Sequence, residues 1–250
     1  MKNLTFILVM VSVFLFSSCD KSEPETYWYS FGTYIETEPD NFIIDLDDGS
    51  ALIPTQVGYI EAGLEDSSRV MVVYVIVSET DSTVTAKVDN ITGILTKGVL
   101  QLTEENKDSI GSDGVIVTED DIWFSENHLN VRFRYFYYYQ NIQHYINLVK
   151  PIGNPIDEKG NQILELRHND NNDYTNYSST GIVSFDMWSL YEEGMDSLNF
   201  LFTAYDYDST KFSWEGTYHY DIQPVRSSAN ITNNAKQVLR NIPQTEIRFR

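Results

Sequence analysis

From Tyr27 onward, short apolar runs alternate with polar residues and are broken by Gly, Asn, Asp and Ser, which is a strand pattern rather than a helical one. Arg69 to Glu79 contains Val70-Met71-Val72-Val73-Tyr74-Val75-Ile76-Val77. That run is too continuous for a strand with one wet face and predicts a central strand buried on both faces. Phe42 to Leu46 and Ala51 to Thr55 flank Asp47-Asp48-Gly49-Ser50, where Gly49 supplies the positive φ of a tight turn, so the segment predicts a hairpin. Glu79-Thr80-Asp81-Ser82 is a second turn, leading into Val84 to Ile91. With Tyr27 to Glu36 in front, about five strands precede Gly93.

Ile94 to Leu102 reads as a short helix or as the strand that leaves the first domain. Glu104 to Gly114 is polar and broken by Gly111 and Gly114, which marks a linker. Beyond it Val131, Phe133, Tyr135, Tyr137 and Tyr139 fall on one face of a strand, with Arg132, Arg134, Phe136 and Tyr138 on the other. Gln140-Asn141 turns that strand into Ile142 to Val149. Further strands are expected at Ile163 to Asn169, Thr180 to Phe185, Leu198 to Tyr205 and Lys211 to Tyr220. Seven or so short strands with turns between them argue a β-sandwich over 115–223. The last segment, 224–250, differs: Ile231, Ala235, Val238, Leu239 and Ile242 recur at helical spacing, whereas Gln244 to Arg250 alternates like a strand.

The amino terminus changes the picture. Lys2 precedes an apolar run from Leu4 to Phe16, closed by Ser17 and Ser18 just before Cys19. A charged start, a short apolar middle and a small-residue exit make a secretory signal over 1–18, too short for a span of about 20 residues. Phe16-Ser17-Ser18-Cys19 resembles a bacterial lipobox, which implies diacylglycerol on the Cys19 sulfur and an acyl chain, such as palmitate, on the new amino terminus. Two or more chains suffice for stable anchoring. Residues 19–26 then form an acidic tether, and 27–103 the first domain.

Removing the signal leaves 16 basic and 37 acidic side chains, a net charge of −21, which argues against nucleic acid and anionic headgroups as partners. The charge is uneven. Asp20 to Thr103 holds four basic and fifteen acidic residues, and Pro224 to Arg250 five basic and one acidic. Cys19 is the only cysteine, so a lipidated chain has no disulfide, no thiolate nucleophile and no cysteine-ligated zinc in its folded body.

Leu46-Asp47-Asp48-Gly49, Asn90-Ile91, Leu95-Thr96-Lys97-Gly98, Asp108-Ser109-Ile110-Gly111, His144 to Val149, Leu164 to Asn169 and Val183-Ser184-Phe185-Asp186, in that order and spacing, resemble the NigD-like lipoproteins of Bacteroidetes. The resemblance covers roughly Tyr27 to Tyr220. It implies an all-β chain with an N-terminal OB-like five-stranded barrel followed by a C-terminal β-sandwich, and a protective role of the bacteriocin-immunity kind. It carries no catalytic or binding residues with it.

The remaining candidates for chemistry are few. His128, His144, His168 and His219 show no metal-ligand spacing. His144 shares a strand face with Ile142, Ile146 and Leu148, and His168 with Leu164 and Leu166, so both are expected as hydrogen-bonded core histidines. Asn169-Asp170-Asn171-Asn172-Asp173 has calcium-ligand residue types but lacks the EF-hand Gly and Glu, and reads as an Asx-rich turn. The chain has no nucleophile elbow, phosphate loop or dinucleotide fingerprint, so no enzyme activity, cofactor or metal is expected. Arg132, Arg134, Phe136 and Tyr138 form a candidate recognition surface. Asp-Ser followed by Thr, Ile or Leu occurs at Ser82, Ser109, Ser197 and Ser209, and resembles the O-glycosylation acceptor of exported Bacteroidetes proteins.

The expectation is a non-enzymatic lipoprotein of the outer membrane, facing the cell exterior, that acts by contact with a protein or peptide. The alternative is a glycan-binding accessory, because OB barrels and sandwiches both host oligosaccharides. An unrecognised hydrolase is the third reading.

Overall fold

The computed structural model describes residues 25–38, 41–125 and 127–220. The signal, Cys19 and the 224–250 tail lie outside them. The first five strands, β1 (Trp28–Glu38), β2 (Asn41–Leu46), β3 (Ala51–Ile60), β4 (Arg69–Glu79) and β5 (Thr83–Gly93), close into a barrel in the order β1-β2-β3-β5-β4. The predicted hairpin is present, with Ile44 paired to Leu52 and Gly49 at φ 84° in the turn. Ile44, Leu46, Leu52, Val70, Val72, Tyr74, Val84, Ala86, Val88 and Ile91 fill the barrel.

Arg69 to Glu79 is a strand over its whole predicted length but is not buried on both faces. Val70, Val72 and Tyr74 point inward, Met71, Val73 and Val75 are half-buried, and Val77 is exposed. A small barrel has one dry face, and β-branched residues serve a strand on its outer face as well.

The remaining strands make two facing sheets. One runs β14-β13-β11-β10-β7, from β7 (Leu100–Gln101), β10 (Tyr145–Lys150), β11 (Gln162–Asn169), β13 (Ser197–Tyr205) and β14 (Lys211–His219). The other runs β6-β12-β9-β8, from β6 (Leu95–Gly98), β8 (Ile122–Ser125), β9 (His128–Tyr137) and β12 (Tyr177–Asp186). Leu129, Val131, Phe133, Ile146, Leu148, Leu164, Val183, Phe185, Phe200 and Phe202 form the core between them.

Two sequence expectations change here. Residues 95–101, assigned to the first domain, belong to the sandwich: β6 pairs in parallel with β12, Leu95 opposite Val183, and β7 with β10, Leu100 opposite Val149. Residues 104–114, read as a linker, carry a short helix, α1 (Lys107–Ile110), whose Ile110 is buried with Leu102 and Val149. A Cβ at Gly111 would meet the Asn169 Cβ and the His168 carbonyl oxygen at 2.6 Å, so this segment lies tight on β11. Gln140-Asn141 also joins no hairpin, because β9 and β10 belong to opposite sheets.

Arg69 connects barrel to sandwich. Its guanidinium donates to both Asp47 carboxylate oxygens at 2.7 and 2.8 Å and to the Asn130 side-chain oxygen on β9 at 3.3 Å. Trp123 Nε1 donates to the same Asp47 at 3.3 Å. Asn130 is itself buried, accepting from Ser184 Oγ at 2.6 Å and donating to Ser125 Oγ at 2.7 Å.

Candidate functional site

Alternation along β9 holds as far as the strand does. Leu129, Val131, Phe133 and Tyr135 point into the core, but the strand ends at Tyr137, so Tyr139, expected in the core, is exposed with Tyr138 in the following turn. The β11–β12 connection brings Tyr174, and β12 itself brings Tyr177, to the same end of the sandwich. The four rings touch: Tyr138 meets Tyr139 edge-on at 4.5 Å, Tyr174 edge-on at 6.0 Å and Tyr177 in parallel at 6.1 Å. Tyr138, Tyr139, Tyr174 and Tyr177 remain 39%, 47%, 64% and 56% exposed, so their outer faces are free to solvent. Their chain neighbours Gln140, Asn141, Gln143, Thr175 and Asn176 carry no charge.

A buried polar brace holds this surface. The Asp173 carboxylate accepts from the backbone N–H of Tyr138 at 2.9 Å, Tyr139 at 3.2 Å and Tyr174 at 2.8 Å, and faces Nε2 of His144 at 3.3 Å. Burial works against its charge, but those three N–H donors and His144 outweigh it and hold the carboxyl below the usual carboxylate range. His144 and His168, on neighbouring parts of the same sheet, meet through Nδ1 and Nε2 at 2.9 Å. His168 Nδ1 lies 3.0 Å from the Gly114 carbonyl oxygen, which can only accept.

These contacts fix the hydrogens. With His168 neutral, its Nδ1–H donates to Gly114, which leaves its Nε2 to accept from His144 Nδ1. Burial pushes His168 down to about 4 and so keeps it neutral, with the neighbouring His144 acting in the same direction. Both histidines are buried as expected, and the aspartate that completes the chain arrives from a loop that reads only as a turn.

The Asn169 to Asp173 turn spends its side chains on its own backbone: Asn169 Oδ1 accepts from Asn171 N–H and Asp170 Oδ1 from Asn172 N–H, both at 2.8 Å. Asn171 and Asn172 sit at φ 52° and 62°, where Asn is tolerated better than most residues. Among the described residues, no cluster of His, Cys, Asp and Glu is arranged to hold a metal ion.

The candidate surface of Arg132, Arg134, Phe136 and Tyr138 divides. Arg132 is tied to Asp121 at 2.6 Å, Phe136 packs edge-on against Tyr207 at 4.8 Å, Arg134 is exposed, and Tyr138 joins the tyrosine cluster. Tyr139, Tyr174 and Tyr177, none of them in the candidate surface, complete that cluster. Their signal was there as tyrosines interleaved with Asn and Gln in predicted turns, a composition that suits recognition loops on a sandwich. Beside it lies an open groove of about 520 Å³ lined by Asp113, Glu165, Arg167, Asp206 and Tyr207 among others. Its charges are spent internally, with Arg167 Nε on Glu165 at 2.9 Å and Asp113 accepting from the Asp170 N–H at 2.9 Å.

Ser82 and Ser209 are exposed in turns, Ser109 is exposed on α1, and Ser197 is half-buried at the start of β13. Among the described residues no helix is long and apolar enough to cross a membrane.

The family description "NigD-like C-terminal beta sandwich domain" matches residues 98–215. Those residues are similar to the NigD-like C-terminal β-sandwich. Its tyrosine end, built from β9 and the β11–β12 connection, falls inside the matched span, and the barrel lies before it. Solved structures share the two-domain fold. A protein of Parabacteroides distasonis named as toxin related is 23% identical with a TM-score of 0.65, over 78% of this chain and 94% of that one. A NigD-like immunity protein of Bacteroides caccae is 19% identical with a TM-score of 0.61, over 77% and 97%. A protein of Bacteroides fragilis named as a lipoprotein candidate is 12% identical with a TM-score of 0.54, over 78% and 98%. Comparison with curated proteins gives no match.

Proposed function

We propose that this chain is a non-enzymatic envelope lipoprotein, anchored through Cys19 in the outer membrane and facing the exterior, that binds a protein or peptide through the tyrosine end of its NigD-like sandwich. The observation that carries the reading is the pairing of a rigid base with a soft surface. Four exposed tyrosines sit on loops whose backbone is clamped by one buried carboxylate. Tyrosine offers large contact area at low entropic cost, and pre-ordering the loops removes part of the cost of binding. The immunity protein of similar fold and the lipoprotein candidate support the role and the anchor.

The test is a photo-crosslinker at Tyr174 on intact cells of the native host, with Cys19→Ala as the companion. Capture of a defined protein by the anchored chain, lost on Tyr138→Ala/Tyr177→Ala, supports the reading. A Cys19→Ala protein still in the membrane fraction after a high-salt wash removes the anchor from it. The uncharged Asn and Gln rim around the rings favours one second reading, an uncharged polysaccharide stacked on the tyrosines. Retention on a glycan array with no captured protein would select it.

A further inference from the structure

The barrel is closed unevenly. β3 pairs with β5 along its whole length, from Ala51 opposite Thr83 to Ile60 opposite Ile91. It pairs with β2 only at Ala51 and Leu52, beside the hairpin turn. Across the gap, Asn41, Phe42 and Ile43 of β2 pair with β1 alone. Among the described residues, the seam between 41–43 and 56–60 therefore holds no strand. The Glu61 N–H donates to the Ile91 carbonyl at 2.9 Å, and backbone direction alternates along a strand. Tyr59 and Val57 thus bond toward β5, while Ile60 and Gly58 turn their N–H and C=O groups to the seam.

The seam opens onto the barrel core. Val57 sits opposite Val88, which is buried among the barrel side chains, and in-register partners share a face. Val57, and Tyr59 two residues on, lie on that core face and are nevertheless exposed. Unpaired strand edges template the addition of another strand, and proteins usually blunt them with charge. This one is blunted only where it begins: Pro54 has no N–H to offer, a bulge follows it, and Thr55 Oγ1 turns back to the Ala86 carbonyl at 3.0 Å. From Ala51 to Ile60 the strand has no charged residue.

Charge decides what can fill the seam. Residues 25–93 hold thirteen acidic side chains and two basic ones. Both basic groups are already engaged, Arg69 with Asp47 at 2.7 Å and Lys87 with Glu25 at 3.4 Å. Three other carboxylates border the seam by their place in the register. Asp45 lies opposite Ala51 where β2 and β3 part, Asp89 lies on β5 between the partners of Val57 and Tyr59, and Glu61 directly follows Ile60. Among the described residues none of the three has a cationic partner. A second copy of the barrel would bring the same negative charge to the seam and be repelled, whereas a cationic strand is drawn to it.

We propose that the seam is a strand-addition site for an extended cationic peptide segment of a partner. The segment pairs with the free edge of β3 at Gly58 and Ile60, sets apolar side chains over Val57 and Tyr59, and places its basic ones among the bordering carboxylates. This site is separate from the tyrosine end and does not depend on the function proposed for that end.

The experiment adds a synthetic octapeptide of alternating lysine and valine to the full chain, purified in nonionic detergent. At saturating probe, hydrogen exchange over 53–61 is expected to slow about tenfold, while the tyrosine end stays unchanged. The same octapeptide N-methylated at every residue keeps its charge and side chains but has no N–H with which to pair, and is expected to give no protection. Glutamate in place of lysine is expected to weaken binding about tenfold or more. Protection should also be lost in Val57→Lys/Tyr59→Lys, which alters only exposed side chains and whose fold circular dichroism verifies. No protection of 53–61 by the lysine probe would overturn the proposal, as would equal protection by the N-methylated or the glutamate probe. Protection of 53–61 that deepens with protein concentration before any probe is added would overturn it as well, because a second copy then fills the seam.

Discussion

His144 Nδ1 and His168 Nε2 meet at 2.9 Å inside the sandwich, and the burial of His168 there makes the fold sensitive to acid. His168 is held neutral down to about 4 by burial, whereas in the unfolded chain it takes up a proton below about 6.5. Protons thus bind the unfolded state first as the pH falls. Stability is full above about 6.5 and declines toward 4, by up to about 3 kcal/mol from this residue. Asp173, held below the usual range, adds a further loss at still lower pH, as its carboxylate takes up a proton through its folded value. Urea titrations at pH 7 and 4.5 should show the decline. His168→Gln, whose amide can donate to Gly114 and accept from His144, should flatten it. An equal decline in that variant would place the acid sensitivity elsewhere.

Arg69 should be costly to lose. Its side chain is buried, and Asp47, Thr33 and Asn130 all depend on it. Removing one partner of a buried pair leaves the other uncompensated, so Arg69→Leu is expected to cost about 3–5 kcal/mol. The double variant Arg69→Leu/Asp47→Leu should recover part of that, because no carboxylate is left unpaired. Chemical denaturation of both, followed by Trp123 fluorescence, measures it. A loss below about 1 kcal/mol in the single variant would show that the pair is not holding the domains.

The elements legible in the sequence are those whose cause is local. The β2–β3 hairpin announces itself through Gly49, and β4 through eight consecutive apolar residues. β6 and β7 do not, because four and two residues become strands only by pairing with β12 and β10, far along the chain. β8 is missed for the same reason: Ile122 to Ser125 is strand because β9 lies beside it. At the tyrosine end, period-two alternation places Tyr135 correctly and misplaces Tyr139, because the period stops with the strand. The histidines are legible as buried residues, but the brace is not, since Asp173 arrives from a loop whose composition suggests only a turn.

Asp173 and the tyrosines it supports should separate by experiment. Asp173→Ala leaves three buried backbone N–H groups without their acceptor and His144 Nε2 without its partner, and should cost at least about 2 kcal/mol. Tyr138→Ala and Tyr177→Ala, with the crosslinker kept at 174, remove exposed rings and should change stability by no more than about 0.5 kcal/mol while abolishing partner capture. Thermal melts beside the crosslinking yield decide the matter. Capture that survives both tyrosine variants would move the recognition surface away from this end.

The Asp-Ser triplets give the last prediction, which concerns modification. Ser82 and Ser209 lie in exposed turns and Ser109 on the outer side of α1, each open to a transferase, whereas Ser197 is half-buried where β13 pairs with His219. A turn alone also explains one of them, since Asp208 Oδ1 accepts from the Thr210 N–H at 2.9 Å and Ser209 sits at φ 65°. If the triplets are glycosylation acceptors, the intact mass of the lipidated protein from its native host exceeds the chain-plus-lipid value by hexose-sized increments. Replacing Ser82, Ser109 and Ser209 with alanine should remove most of that excess, and adding Ser197→Ala should change it little, because its backbone is engaged in the sheet. A mass equal to chain plus lipid, unaltered by all four substitutions, would leave the triplets as turn and strand residues alone.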